Sequence, residues 1–304
     1  MRIGTMAGAG DGAGLDQLVA QAQRAESAGF ASFWLANIFA YDAITVQALI
    51  GRVTRRIELG TAVVPTYPRH PMAMAQQALT TNAASGGRFT LGIGLSHKIV
   101  IEDMFGLSYA HPARHMAEYL AALTPLLRGE AVDWKGEEYR VRGQIAAPGG
   151  APVRLLVAAL GPALLRLTGR YADGTITWMT GVKTLASHTV PALRRAAEEA
   201  GRPAPRIVAG LPIALVRDAA AARENASRQF AIYGQLPSYR AMLDREGAAK
   251  PGDVAIVGDE KALRAGLARL REAGVTDFCA AVAPLEPGAA ERTLELLASE
   301  QTTA

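Results

Sequence analysis

Ser96 and His97 close an apolar segment, RFTLGIGLSH, in a chain otherwise poor in recognisable catalytic apparatus. An imidazole titrates near neutrality, so His97 can donate or accept a proton during a reaction at ordinary pH. Other segments of the same kind end in residues suited to a small-molecule pocket. ASFWLAN ends at Asn37, followed by Ile38 and Phe39, and DGTITW ends at Trp178, with Thr180 just beyond. Apolar and aromatic walls with a few directing polar groups are the usual makeup of such pockets. VRLLVAALGP runs through Ala158, Ala159 and Leu160 to Gly161 and Pro162. Pro162 suits a first helical turn, whose free backbone N–H groups can receive a phosphate.

Several chemistries find no support in these residues. His111 and His115 are four apart, but Pro112 lies between them and there is no HExxH arrangement, so no metal site is expected. There is no G-x-S-x-G nucleophile elbow, no phosphate-binding loop with its lysine, and no evident pair of acid/base carboxylates. That gap favours an organic cofactor over protein-only covalent chemistry.

The elements that position these residues alternate regularly. Strands are expected at RIGTM, ASFWLAN, IELGTAVV, RFTLGIG, VRLLVAA, DGTITW, RIVAGLPIALV and VTDFCAAV, with helical patterns between them. Segments such as LLVAA and GLPIALV are apolar on successive residues, as a parallel sheet covered on both faces requires. Eight such units predict an α/β fold, a (β/α)8 TIM barrel, as one domain over residues 1–304. An excursion is expected around 130–150, where VDWKGEEYRV reads as a hairpin, and a helical insertion around 218–248. A doubly wound sheet is the competing architecture, but MAGAGDGAG is a poor dinucleotide loop. In a barrel the ends of the strands share one reactive rim, so His97, Asn37, Trp178 and the Gly161 turn converge there.

The bulk numbers agree with an ordinary globular protein. Of 304 residues, 32 are basic and 28 acidic, a net charge of +4 without a cationic block, which argues against a nucleic-acid partner. No apolar run reaches membrane-spanning length and the N-terminus lacks a signal-like apolar core, so no membrane association and a cytoplasmic location are expected. The single cysteine, Cys279, cannot form an internal disulfide and reads as a buried structural thiol.

Four segments carry a resemblance: RIGTM, AESAGFASFWLAN, IELGTAVVPTYPRHPMAMAQQALTTNAASGGRFTLGIGLSH and AALGPALLRLTGRYADGTITW. They resemble the bacterial-luciferase-like superfamily, and within it the oxidoreductases that use the deazaflavin coenzyme F420, including methylenetetrahydromethanopterin reductase-like proteins. The resemblance implies a homodimeric barrel with the cofactor across the C-terminal rim. It places a non-proline cis peptide at Ala62–Val63, with Thr61 and Val64 setting a bulge behind the deazaflavin ring. Asn37, Leu95, Ser96 and His97 would be further cofactor contacts, and the backbone from Ala158 to Pro162 would orient the phosphate side. Asn37 and His97 are the candidate catalytic side chains; Ile38, Phe39, Trp178 and Thr180 would face the substrate.

Two departures separate the chain from the glucose-6-phosphate dehydrogenases of that branch. Ile38 stands where they place a histidine, and His97 where they carry a glutamate. The implied reaction is hydride transfer between deazaflavin carbon five and an activated small organic substrate, a C=C or C=N acceptor. An FMN-dependent monooxygenase of the same superfamily is the alternative, and a non-catalytic ligand-binding barrel the third reading.

Overall fold

The computed structural model describes residues 1–7, 12–150 and 152–301. Residues 8–11, the centre of the glycine-rich first loop, lie outside that set.

Eight parallel strands close on themselves. They are β1 (Arg2–Ala7), β2 (Ser32–Leu35), β3 (Glu58–Thr61), β4 (Phe89–Gly94), β5 (Arg154–Val157), β6 (Gly174–Trp178), β7 (Arg206–Leu215) and β8 (Asp277–Val282). Each pairs with the next, and β8 returns to β1 through the register Arg2↔Asp277 to Thr5↔Ala280. The fold is a TIM barrel. Helices α1 (Leu15–Ser27), α2 (Ala43–Val53), α3 (Pro71–Ala84), α4 (Pro112–Leu127) and α5 (Pro162–Tyr171) follow the first five strands in turn. Pro125 sits inside α4, which continues to Leu127.

Two elements depart from the bare repeat. An antiparallel hairpin, Val132–Lys135 with Arg140–Gly143, leaves the barrel after α4. After β7, the helices Ala219–Gln229 and Pro237–Glu246, separated by a 3-10 turn at Ala231–Gly234, form an insertion. Gly234 ends that turn and Pro237 is the second helix's first residue.

The barrel interior is layered. Arg2, Glu58, Arg206 and Asp277 begin their strands and so meet at the N-terminal end. Arg206 forms two hydrogen bonds to the Asp277 carboxylate, at 3.0 and 2.7 Å, and also pairs with Glu58. Arg2 reaches the other Glu58 oxygen at 2.6 Å, and Thr90 donates to Glu58 at 2.7 Å. Burial alone would raise the Glu58 carboxyl, but the Arg206 and Arg2 guanidinium groups hold it below the usual carboxylate range. Above this plug the Arg206 guanidinium lies 5.5 Å from the Trp34 ring.

Trp34, Leu156, Ile176, Val208 and Cys279 then fill the lumen, with Met6, Ala62 and Val63 packed against them. Cys279 is fully buried, and desolvation pushes its thiol well above the usual range, so it remains protonated and unreactive. The interior is a packed core, and the C-terminal mouth is the open end.

Candidate active site

The mouth begins with an interruption. β3 stops at Thr61, and the chain resumes pairing with β4 only at Val64–Pro65, which lie opposite Ile93 and Gly94. Between them the Ala62–Val63 peptide is cis. The sequence of β4, FTLGIG, explains how a bulge fits there. A Cβ on Gly92 would lie 2.0 Å from the Thr61 carbonyl oxygen, and one on Gly94 would lie 2.8 Å from Val63 Cγ2. The fully buried Thr61 side chain replaces lost ladder bonds. Its Oγ1 accepts from Gly92 N and donates to Gly92 O, both at 2.8 Å.

β4 then delivers Ser96 and His97. Ser96 takes a left-handed conformation (φ 59°), uncommon for a residue with a side chain, and so turns the chain at the rim. Its carbonyl accepts from the Tyr109 hydroxyl at 3.3 Å. The His97 carbonyl accepts from the N–H groups of Val100 and Ile101, both at 2.9 Å, starting a short π-helical turn at Val100–Met104. The His97 ring is partly buried, and desolvation lowers its pKa below the ordinary imidazole value. At neutral pH it is therefore largely the neutral imidazole, able to accept a proton or, in one tautomer, to donate a hydrogen bond.

A stack of rings supports this turn from behind. Tyr109 stacks on Tyr67 at 5.2 Å, and Tyr67 on His115 at 3.7 Å with planes 9° apart. His115 Nε2 pairs with Thr66 Oγ1 at 2.9 Å, and burial depresses the imidazole to about 4. His115 is therefore a structural histidine facing the loop after β3. Among the described residues no group of three or more His, Cys, Asp or Glu is arranged to hold a metal ion.

Asn37 lies at the rim, but its side-chain oxygen is engaged. Oδ1 accepts from Ala43 N at 3.0 Å, which fixes the loop between β2 and α2. The amide's N–H2 is the part that can meet a ligand. Ile38 and Phe39 follow it, exposed by 45% and 62%.

On the β5 side, Gly161 is the extended residue before α5, with Pro162 at the helix start and no side-chain cap. A Cβ on Gly161 would meet nothing within 4 Å, so the space against this turn is open. The Leu160 carbonyl is held by His188 Nε2 at 2.9 Å, an N–H donating to the oxygen. His188 comes from a π turn after β6, Leu185–Thr189, and nothing in its sequence surroundings announces this contact. Ala159 and Thr180 are fully buried, and Thr180 Oγ1 donates to the Trp178 carbonyl at 3.3 Å. With Thr61 they shape the mouth from behind rather than line it.

The insertion after β7 supplies the residues that sequence reasoning missed. Tyr239 places its ring 5.8 Å from His97 and 4.9 Å from Tyr233. Tyr233 in turn lies 6.0 Å from Trp178, and Phe230 lies 5.6 Å from Trp178. A continuous aromatic strap thus joins the end of β4 to the end of β6. The helical pattern around 218–248 was legible, but which of its faces meets the rim depends on the tertiary path of β7.

The mouth thus carries a bulge on one side, an open helix start on another and an aromatic strap beside them. The sequence model of the family described as luciferase-like monooxygenase matches residues 1–299, and the chain belongs to that family. An uncharacterized protein of Mycobacterium tuberculosis is 31% identical over 255 residues, 78% of this chain and 75% of that one. The F420-dependent glucose-6-phosphate dehydrogenase of Nakamurella multipartita is 36% identical over 159 residues, 50% of this chain and 47% of its own. Among solved structures, the coenzyme F420-dependent tetrahydromethanopterin reductase of Methanopyrus kandleri superposes with a TM-score of 0.83 at 22% identity, covering 98% of this chain and 97% of that one. The FMN-bound oxygenating constituent of 3,6-diketocamphane monooxygenase from Pseudomonas putida gives 0.79 at 17% identity, covering 99% and 97%.

Proposed function

We propose that this protein is a coenzyme F420-dependent oxidoreductase acting on an activated small organic molecule at the barrel mouth. The observation that carries the reading is the pairing of the half-buried Ala62–Val63 bulge with the open, uncapped turn at Gly161. The bulge offers an apolar backstop for a flat ring. The turn offers backbone N–H groups to an anionic tail, since the first N–H groups of a helix lack intrahelical partners. Relatives named as F420-dependent enzymes support the same choice.

When bound and reduced, the deazaflavin supplies a hydride from its carbon five. The chain's own residues do the rest. Ala62 and Val63 would support the ring from behind, and the backbone at Leu160 and Gly161, steadied by His188, would orient the phosphate. Asn37 would offer its amide N–H2 group, and Ser96 and His97 would border the reacting face. In a reductive step on a C=C or C=N acceptor, the His97 imidazole would hold the proton that accompanies the hydride, in the protonated form populated below its lowered pKa. Fixed placement of donor and acceptor accounts for most of the rate, with the proton transfer adding to it. A homodimer in the cytoplasm is part of this proposal, as is the absence of a membrane or nucleic-acid partner; no helix among the described residues is long and apolar enough to cross a membrane.

The test is turnover. Oxidation of reduced F420 should be followed with a panel of activated C=C and C=N acceptors; binding of F420 without turnover on any acceptor would leave a ligand-binding barrel as the better reading. FMN monooxygenase chemistry is the second reading, favoured by the fold's likeness to the FMN-bound monooxygenase.

A further inference from the structure

The insertion helix Pro237–Glu246 has ten residues, too few to hold a position in water without tertiary contacts. Glu246, its last residue, reaches across to the loop after β6. Its carboxylate accepts from the N–H groups of Thr184 at 2.7 Å and Lys183 at 3.1 Å. These donors open the helical segment after Gly181, which has no side-chain cap of its own, so a carboxylate from another element serves instead. The fit is close: a Cβ on Gly181 would lie 2.2 Å from the Glu246 carboxyl carbon. Thr184 Oγ1 donates back to the Met242 carbonyl at 3.3 Å. Tyr239, Met242 and Glu246 recur at helical spacing and share one face. That face brings the Tyr239 ring to His97, at 5.8 Å and tilted by 57°. Tyr233 backs Tyr239 edge-on at 4.9 Å, and Trp178 backs Tyr233 at 6.0 Å.

We propose that Tyr239 is a positioning residue for hydride transfer, its ring shielding and orienting the His97 imidazole, and that Glu246 pins the helix that carries it. This rests on reading the mouth as the hydride-transfer site with His97 as its proton carrier. The charged groups around His97 are engaged elsewhere. On its own turn Lys98 pairs with Glu102 at 3.6 Å, and Asp103 is exposed. On the insertion helix Arg240 pairs with Asp244 at 2.8 Å, Arg245 is exposed, and Glu246 faces the β6 loop. Tyr109, behind the turn, and Tyr233 and Tyr239, on the insertion, are phenols that burial keeps protonated. Burial is thus what lowers the imidazole, and Tyr239 supplies the ring packed against it.

Histidine-selective NMR on the full chain reads the His97 titration directly, with His97→Gln identifying its signal. Tyr239→Ala is expected to shift the His97 midpoint upward, toward 6.5, and Glu246→Ala to shift it the same way by less. Tyr239→Phe keeps the ring and should titrate like the wild type. His115, behind the bulge, should titrate unchanged in all three variants, which separates a local change from general loosening. In assays with reduced F420 and 2-cyclohexen-1-one, an activated C=C acceptor, the pH at which kcat falls should move upward in Tyr239→Ala, in step with the NMR midpoint.

A His97 midpoint unmoved by Tyr239→Ala, an equal shift in Tyr239→Phe, or a matching shift of His115 would overturn the proposal. So would an unmoved midpoint in Glu246→Ala. Should Tyr239→Ala fail to fold, Glu246→Ala decides: an upward shift of His97 alone supports the pin, and no shift refutes it. If the wild type does not oxidise reduced F420, the NMR titrations still decide the contact between Tyr239 and His97, and the failure then belongs to the cofactor assignment.

Discussion

Thr61 Oγ1 and the Gly92 backbone exchange two hydrogen bonds of 2.8 Å across β3 and β4, one from Gly92 N and one to Gly92 O. A hydroxyl therefore completes the ladder beside the bulge, and only a glycine opposite leaves room for the Thr61 carbonyl. Thr61→Val keeps the shape but strands two buried backbone groups, at about 1–3 kcal/mol each. Gly92→Ala places a methyl against backbone that has no space to give. Both variants should lower the thermal midpoint by several degrees, with Gly92→Ala also weakening cofactor binding. A Gly92→Ala protein of wild-type stability and affinity would contradict this account of the bulge.

The ionic plug at the opposite end predicts an acid limit to stability. The Glu58 carboxyl is held below its ordinary value of 4.5 in the folded protein. Its contribution is thus fully present above that value and is lost as pH falls through the lower folded value. Glu58→Gln should cost about 3 kcal/mol at pH 7, because Arg206 loses a buried partner. It should also flatten the fall in stability below pH 4.5. Urea midpoints measured between pH 7 and pH 3 test both; parallel profiles for the two proteins would refute the role of Glu58.

His115 acts in a different window. Its imidazole titrates at about 4 when folded, against 6.5 when free. The unfolded chain therefore takes up the proton first, and stability declines as pH falls from about 6.5 towards 4. His115→Phe keeps the stack on Tyr67 but loses the bond to Thr66, for a cost of about 1 kcal/mol at pH 7. In compensation its stability should change less across that window. An unaltered slope would mean that another group dominates there.

His97 predicts a pH-dependent rate. Burial lowers its pKa, so the protonated ring is populated only below the ordinary value of 6.5. If it passes the proton in a reductive step, kcat should fall as pH rises through that depressed value. His97→Gln should lose that dependence and lower kcat by about 10²–10⁴-fold, with cofactor affinity largely retained. A pH profile identical in the two proteins would remove His97 from proton transfer; loss of binding alone would make it a cofactor contact.

Much of this arrangement was legible in the residues. Strand-to-helix alternation and doubly apolar strands such as GLPIALV mark the barrel because burial on both faces leaves no polar alternation. His97, Asn37 and Trp178 could be placed on one rim because a barrel collects its strand ends there. Other features depend on contacts far apart in sequence. Tyr239 meets His97 across a separation of more than a hundred residues, and His188 meets Leu160 through a π turn with no sequence signature. Engagement of Asn37 Oδ1 by Ala43 N, and the burial of Thr61, Ala159 and Thr180, likewise follow from how the loops close. Residue type alone cannot reveal which side of a wall a small side chain occupies.

The central claim concerns the cofactor, and equilibrium binding tests it most directly. The purified protein should be titrated with F420 and with FMN, each oxidised and reduced, following the intrinsic absorbance or fluorescence of each ring. The account predicts clearly tighter binding of F420 than of FMN, weakened for F420 by Gly92→Ala. Tight FMN binding with no detectable F420 binding would contradict it and move the protein to the monooxygenase side of its family.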